Sequence, residues 1–139
     1  MKDTDLIFLD TNIWLYSFLQ SEKTSEKKDI ADQLILQEQV VLSTQVINEV
    51  CVNLIKKTSF EEAEIQELIK DFYRRCIVIQ ISYKILVQSS QLRQNYCFSY
   101  WDSLIGACAL DAEVQYLYSE DMQNGLIIFD HLKIINPFS

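Results

Sequence analysis

Short apolar runs alternate along this chain with longer stretches in which apolar residues recur at helical intervals. Leu6-Ile7-Phe8-Leu9 is a continuous apolar run, the pattern of a strand covered on both faces. Asp10-Thr11-Asn12 ends it and offers capping side chains for a helix over 13–20. A polar break at 21–25 precedes a second helix over 26–37. Val40-Val41-Leu42 reads as the second strand, and Ser43 opens a helix whose Val46, Ile47, Val50, Cys51, Leu54 and Ile55 keep the helical period. Ser59-Phe60-Glu61-Glu62 has capping-box spacing and predicts a helix ending near Arg75. Cys76-Ile77-Val78-Ile79 is the third strand, followed by a helix over 83–95 and another over 101–111. In the latter, Trp101, Leu104, Ile105, Cys108 and Ala112 share one side, which predicts that Trp101 packs inward. Gln115-Tyr116-Leu117-Tyr118 makes a fourth strand, and Lys133-Ile134-Ile135-Asn136 a fifth that Pro137 stops.

Strands alternating with helices imply a parallel sheet joined by right-handed crossovers. The expected fold is α/β in three layers, with a central parallel sheet of four or five strands flanked by helices. The 139 residues suit one domain spanning 1–139, and two Gly and one Pro leave little room for long irregular segments.

Composition narrows the function. The four cysteines form no C-x-x-C pair and His131 is the only histidine, which argues against a zinc site of Cys and His; reduced core thiols are expected instead. The opening Met1-Lys2-Asp3-Thr4-Asp5 leads into an apolar run too short for a signal peptide or membrane span, so the expectation is a soluble, cytoplasmic protein. The net charge of −8 has the wrong sign for binding phosphates by a surplus of Lys and Arg. Either a cation site sequesters part of that charge, or a basic partner completes the surface.

Parallel sheets place their ligands in the crevice beyond the carboxyl ends of the strands. Asp10 directly follows the first strand and Asp121 lies just past the fourth, so both stand at that edge. The helix opening near Ser99 runs back toward the start of the fourth strand, which brings Asp102 in its first turn to the same edge. Glu49 lies about 9 Å into the helix after the second strand, on the polar side with Gln45, Asn53 and Lys56. Each acid also has an ordinary reading: Asp10 as a helix cap, Asp102 as half of a capping box with Ser99, Glu49 as a solvated helical acid, Asp121 as a turn acid beside Glu120. The functional reading rests on convergence, because ionised carboxylates in one crevice repel unless a cation sits among them. An all-oxygen donor set favours a hard ion, Mg²⁺ or Mn²⁺, which can activate water and neutralise charge on a phosphoryl oxygen.

Four segments around these acids match one family in order: Phe8-Leu9-Asp10-Thr11-Asn12-Ile13, Ser43-Thr44-Gln45-Val46-Ile47-Asn48-Glu49, Ser99-Tyr100-Trp101-Asp102-Ser103-Leu104-Ile105, and Leu117-Tyr118-Ser119-Glu120-Asp121-Met122-Gln123-Asn124-Gly125. The ending Ile134-Ile135-Asn136-Pro137-Phe138 is similar to one branch of it. In these segments the sequence resembles the PIN-domain family, in particular the VapC-like toxin ribonucleases of bacterial toxin–antitoxin pairs. By that resemblance Asp10, Glu49, Asp102 and Asp121 stand at the acidic metal-binding positions, and Asn12 and Ser119 at the polar positions beside them. The family's pattern of Ser or Thr, any residue, then Asp favours Asp121 over Glu120. The resemblance further implies Mg²⁺- or Mn²⁺-dependent endonucleolytic cleavage of RNA, dimerisation, and inhibition by a protein antitoxin that occupies the acidic groove.

Other residues carry weaker signals. Lys56-Lys57 and Arg74-Arg75 either contact phosphates or are solvated helix ends. Trp14, Tyr16 and Phe18 are either core or a pairing surface, Tyr100 and Trp101 could stack on a base, and His131 reads as a surface residue. A phosphatase of the haloacid-dehalogenase type needs a second acid two residues after the first, where this chain has Asn12. The remaining alternative is a catalytically inactive PIN-like module that binds RNA or protein.

Overall fold

Residues 6–19, 21–37 and 39–139 are described by the computed structural model; the segment 1–5 and the expected helix end at Gln20 lie outside them. The first apolar run forms β1 (Ile7–Leu9), buried at all three residues. It feeds directly into α1 (Thr11–Phe18), which begins where the Asp10 carboxylate accepts the Thr11 N–H. A 3₁₀ turn at Glu22–Thr24 and α2 (Ser25–Ile35) lead to β2 (Val40–Ser43). Next come α3 (Thr44–Lys57), α4 (Glu62–Arg75), β3 (Ile77–Ile79), α5 (Tyr83–Asn95) and α6 (Tyr100–Asp111). The last elements are β4 (Tyr116–Tyr118), β5 (Ile127–Ile128) and β6 (Leu132–Ile135).

The strands form one six-stranded sheet in the order β3-β2-β1-β4-β6-β5. Five are parallel, with Phe8 of β1 opposite Val41 of β2 on one side and Leu117 of β4 on the other. The expected helix-flanked parallel sheet is therefore present, and β5 adds an antiparallel edge that the sequence pattern did not reveal. A two-residue strand has almost no periodicity. Its turn also lacks the usual glycine: Phe129 and Asp130 take φ of 50° and 57°. The Tyr96 hydroxyl accepts the Phe129 N–H at 2.9 Å, and the two rings pack 5.7 Å apart, so a distant aromatic side chain helps hold that turn.

One cap differs from expectation. α4 begins with Glu61, whose capping box partner is Glu64, and not with Ser59. The Thr58 hydroxyl already takes the Phe60 N–H at 3.1 Å, which keeps that stretch in a turn. The core joins Phe8, Leu9 and Leu117 of the sheet to Ile13, Val46, Leu54, Leu92 and Ile105 of the helices. Gly106 lets α5 approach α6, since a Cβ there would meet Leu92 Cδ1 at 3.2 Å. Trp14 lies in the core, edge-on to Phe72 at 5.0 Å. Cys51, Cys76 and Cys108 are free and buried or half-buried; Cys97, also free, is exposed between α5 and α6, contrary to the core expectation. Among the described residues no helix is long and apolar enough to cross a membrane.

What positions a site is the middle of the sheet. β1 and β4 are neighbours, yet the chain leaves β1 for β2 on its far side and leaves β4 toward β6 on the other. Connections that part in opposite directions open a crevice at the carboxyl ends of such a pair.

Candidate functional site

Asp10 stands at the end of β1 as the first residue of that crevice. It is 8% exposed, and its carboxylate accepts the Thr11 N–H at 2.7 Å and the Ser119 hydroxyl at 2.8 Å. Burial pushes its carboxyl up from the ordinary 3.8 to about 6; the two hydrogen bonds hold the rise back, and the charges of Glu49 and Asp102 add to it. The cap reading and the site reading of Asp10 thus hold together: one carboxylate starts α1 and faces the other acids.

The remaining acids arrive from three other segments. Glu49, half-buried on α3, accepts the Thr11 hydroxyl at 2.5 Å. Asp102 lies in the first turn of α6, where its backbone N–H donates to the Ser99 hydroxyl at 3.1 Å. Burial raises its carboxyl above the ordinary value; Ser99 offsets part of that, while Asp121 and Glu49 push it further up. Asp121, exposed just past β4, accepts the Asn12 amide at 2.8 Å. Asp10, Glu49, Asp102 and Asp121 all line one open cleft, together with Asn12, Gln45 and Lys57. They ring it without closing on a point: among the described residues no three Asp, Glu, His or Cys side chains are grouped as ready ligands of one ion.

Two polar residues organise this ring. Ser119 is fully buried; its hydroxyl donates to Asp10 and accepts the backbone N–H groups of Asp121 and Met122 at 3.3 Å. It ties the end of β1 to the turn after β4. Asn12 ties α1 to Asp121. Both were singled out from the sequence.

Two other residues were not. Thr11 bridges Asp10 through its N–H and Glu49 through its hydroxyl; its place between Asp10 and Asn12 was the available signal. Gln45 is 9% exposed and lines the cleft. Its amide donates to the Trp101 carbonyl at 3.4 Å, while its Oε1 has no hydrogen-bond partner among the described residues. Lys57, which the sequence offered with Lys56 as either a phosphate contact or a solvated helix end, is the one basic side chain among the described residues that line the cleft.

Other candidates fall outside. Glu120 points away from its neighbour Asp121, accepting the Tyr16 hydroxyl at 2.7 Å and pairing with Lys27 at 2.5 Å. Burial raises its carboxyl, but Lys27 and Tyr16 together pull it below the ordinary value. Arg74 pairs with Asp71 at 3.0 Å, Arg75 borders a separate groove near Phe72, and His131 is exposed in the β5–β6 turn. Trp101 does not pack inward as its helical position predicts; it is 62% exposed at the mouth of the cleft. Within α6 burial begins at Ser103 and runs through Ala109, so Trp101 in the first turn lies outside the buried stretch.

The donor set favours a hard divalent cation. It consists of carboxylate and amide oxygens, with the unpartnered buried Gln45 Oε1 on the same wall. Burial is the main cause of the raised Asp10 and Asp102 carboxyls, and the neighbouring acids add a smaller push in the same direction that a bound cation would relieve.

A family model described as PIN domain matches residues 7–124. No curated protein sequence matches the chain. Among solved structures, a toxin–antitoxin complex from Klebsiella pneumoniae superposes with a TM-score of 0.70 at 22% identity, covering 94% of this chain and 97% of that one. FitAcB from Neisseria gonorrhoeae gives 0.62 at 17% identity, covering 96% and 99%. VapC20 of Mycobacterium tuberculosis, described as a toxin that cleaves the sarcin–ricin loop, gives 0.62 at 16% identity, covering 80% and 86%. Likeness at these identities concerns the fold alone.

Proposed function

Because this chain belongs to the PIN-domain family, we propose that it is a metal-dependent endoribonuclease and the toxin of a toxin–antitoxin pair, acting as one cytoplasmic domain. The observation that carries the reading is the meeting of Asp10, Glu49, Asp102 and Asp121, from four separate segments, around one cleft. Asp10, Asp102 and Asp121 would hold Mg²⁺ or Mn²⁺ directly or through water, with Glu49 beside them. When bound, the ion supplies charge neutralisation at the phosphoryl group and lowers the pKa of water.

The chain's own residues do the rest. Thr11 and Ser119 fix both oxygens of Asp10, and Asn12 fixes Asp121, so the acidic ring is organised before substrate arrives. Thr11 holds one oxygen of Glu49, and the other is free to orient the attacking water and take its proton. Water oxygen bonds to phosphorus, the bond from phosphorus to the 3′-oxygen breaks, and that oxygen takes a proton from solvent. Lys57 draws the phosphate backbone into a cleft that is otherwise acidic.

The toxin role is supported by the toxin–antitoxin complexes of the same fold. A basic antitoxin segment in the acidic groove follows from the family resemblance and agrees with the charge of −8; a homodimer follows from the resemblance alone. The test is cleavage of RNA by wild type and Asp10→Asn, each in Mg²⁺, Mn²⁺ or EDTA. Fragments that require both metal and Asp10 support the nuclease. Folded, antitoxin-free protein that cuts nothing would instead favour the inactive binding module.

A further inference from the structure

The first turn of α6 carries two large aromatic side chains that the core does not use. Tyr100 is 49% and Trp101 62% exposed. Trp101 lines the same cleft as the four acids, next in sequence to Asp102. The pair packs together. The two rings meet edge-on at 5.1 Å, and the Arg93 guanidinium lies 4.4 Å over the Tyr100 ring. Arg93 is fixed in turn by the Ser103 hydroxyl at 2.6 Å, and Ser103 is fully buried. From the cleft side, the Gln45 amide donates to the Trp101 carbonyl at 3.4 Å. An indole packed edge-on against a held neighbouring ring has fewer orientations to lose when something stacks on it.

Chemistry identifies the occupant. Acids for a phosphodiester, a lysine for its neighbouring phosphate and an exposed indole on one cleft match the parts of a nucleotide. Resting on the nuclease reading, we propose that Trp101 is a specificity-determining residue that stacks on an unpaired RNA base beside the scissile phosphate, with Tyr100 and Arg93 as its brace.

The experiment uses the full chain, a short fluorescein-labelled oligoribonucleotide of mixed sequence, and a series in which each base in turn is replaced by an abasic nucleotide. Wild type, Trp101→Ala and Trp101→Phe are compared by KM and kcat in Mn²⁺, with thermal unfolding to confirm that this mostly exposed residue leaves the fold intact. Stacking of a base on an aromatic ring predicts a roughly tenfold rise in KM for Trp101→Ala and near wild-type behaviour for Trp101→Phe. One abasic position should reproduce that rise in wild type and add nothing in Trp101→Ala. If wild type cuts RNA but Trp101→Ala keeps its KM, or every abasic substrate is cut as well as the parent, the stacking proposal is overturned and the nuclease reading stands. Trp101 would then be left to a protein partner. If wild type cuts nothing, the nuclease reading fails, and fluorescence anisotropy of the same oligonucleotide decides the stacking separately. Binding lost on Trp101→Ala supports it, and binding unchanged overturns it.

Discussion

Replacing Asp10 with Asn should stabilise the metal-free protein while abolishing cleavage. The Asp10 carboxyl titrates at about 6 in the fold against an ordinary 3.8, first because burial penalises its charge and then because Glu49 and Asp102 face it. A carboxyl whose folded pKa is raised favours the fold while protonated. That contribution is complete below about 3.8 and is lost as pH rises through about 6. At ~1.36 kcal/mol per unit of pKa difference, the ionised group costs the fold about 3 kcal/mol near neutral pH. Asn is neutral throughout, nearly the same size, and its Oδ1 can still accept the Thr11 N–H. Its amide cannot accept the Ser119 hydroxyl, whose oxygen already takes the Asp121 and Met122 N–H groups, so the loss of that hydrogen bond offsets part of the gain. Removing the charge opens no cavity. About 3 kcal/mol is the upper bound of the gain, or roughly 10 °C in Tm for a domain of this size. The assay is thermal unfolding of both proteins in EDTA from about pH 4 to about pH 8, taking the difference so that groups common to both cancel. The difference should be smallest at the acid end and grow through about pH 6. Added Mg²⁺ should then stabilise wild type more than the variant, by mass action on the folded state. A variant no more stable than wild type at about pH 8, or a gap that does not shrink on acidification, would refute the claim that the fold holds Asp10 at an energetic cost.

Three further outcomes follow from the same geometry. Glu49→Gln keeps an oxygen for the Thr11 hydroxyl but cannot take a proton from water, so it should fold normally and lose about a hundredfold or more in kcat, read by RNA cleavage. Ser119→Ala removes the hydroxyl that joins Asp10 to the turn carrying Asp121, and should cost about 1–3 kcal/mol in denaturant unfolding together with a fall in activity. Glu120→Gln breaks only the pairing with Lys27 and Tyr16 and should leave cleavage close to wild type. A loss as deep as that of Asp121→Asn would place Glu120 in the reactive set.

The alternation of apolar runs and helical stretches determined the α/β class, because a strand of the kind seen at Ile7–Leu9 and a stripe such as Val46, Val50 and Leu54 are written in neighbouring residues. The same local logic located Asp10 and Ser43 as helix starts, and parallel-sheet geometry was enough to expect Asp10, Glu49, Asp102 and Asp121 along one edge. Tertiary structure alone decided which way side chains turn once they arrive there. Glu120 and Asp121 are adjacent in sequence, yet Lys27 and Tyr16 draw one away while Asn12 draws the other to the cleft. Thr11 and Gln45 gained their roles from partners far along the chain. Trp101 occupies a position that helical period assigns to the core, but burial within α6 begins only at Ser103, and the indole stands at the mouth of the cleft. Periodicity and capping reflect interactions between near neighbours, whereas a side chain's final direction depends on which distant elements have already taken the space and the hydrogen bonds around it.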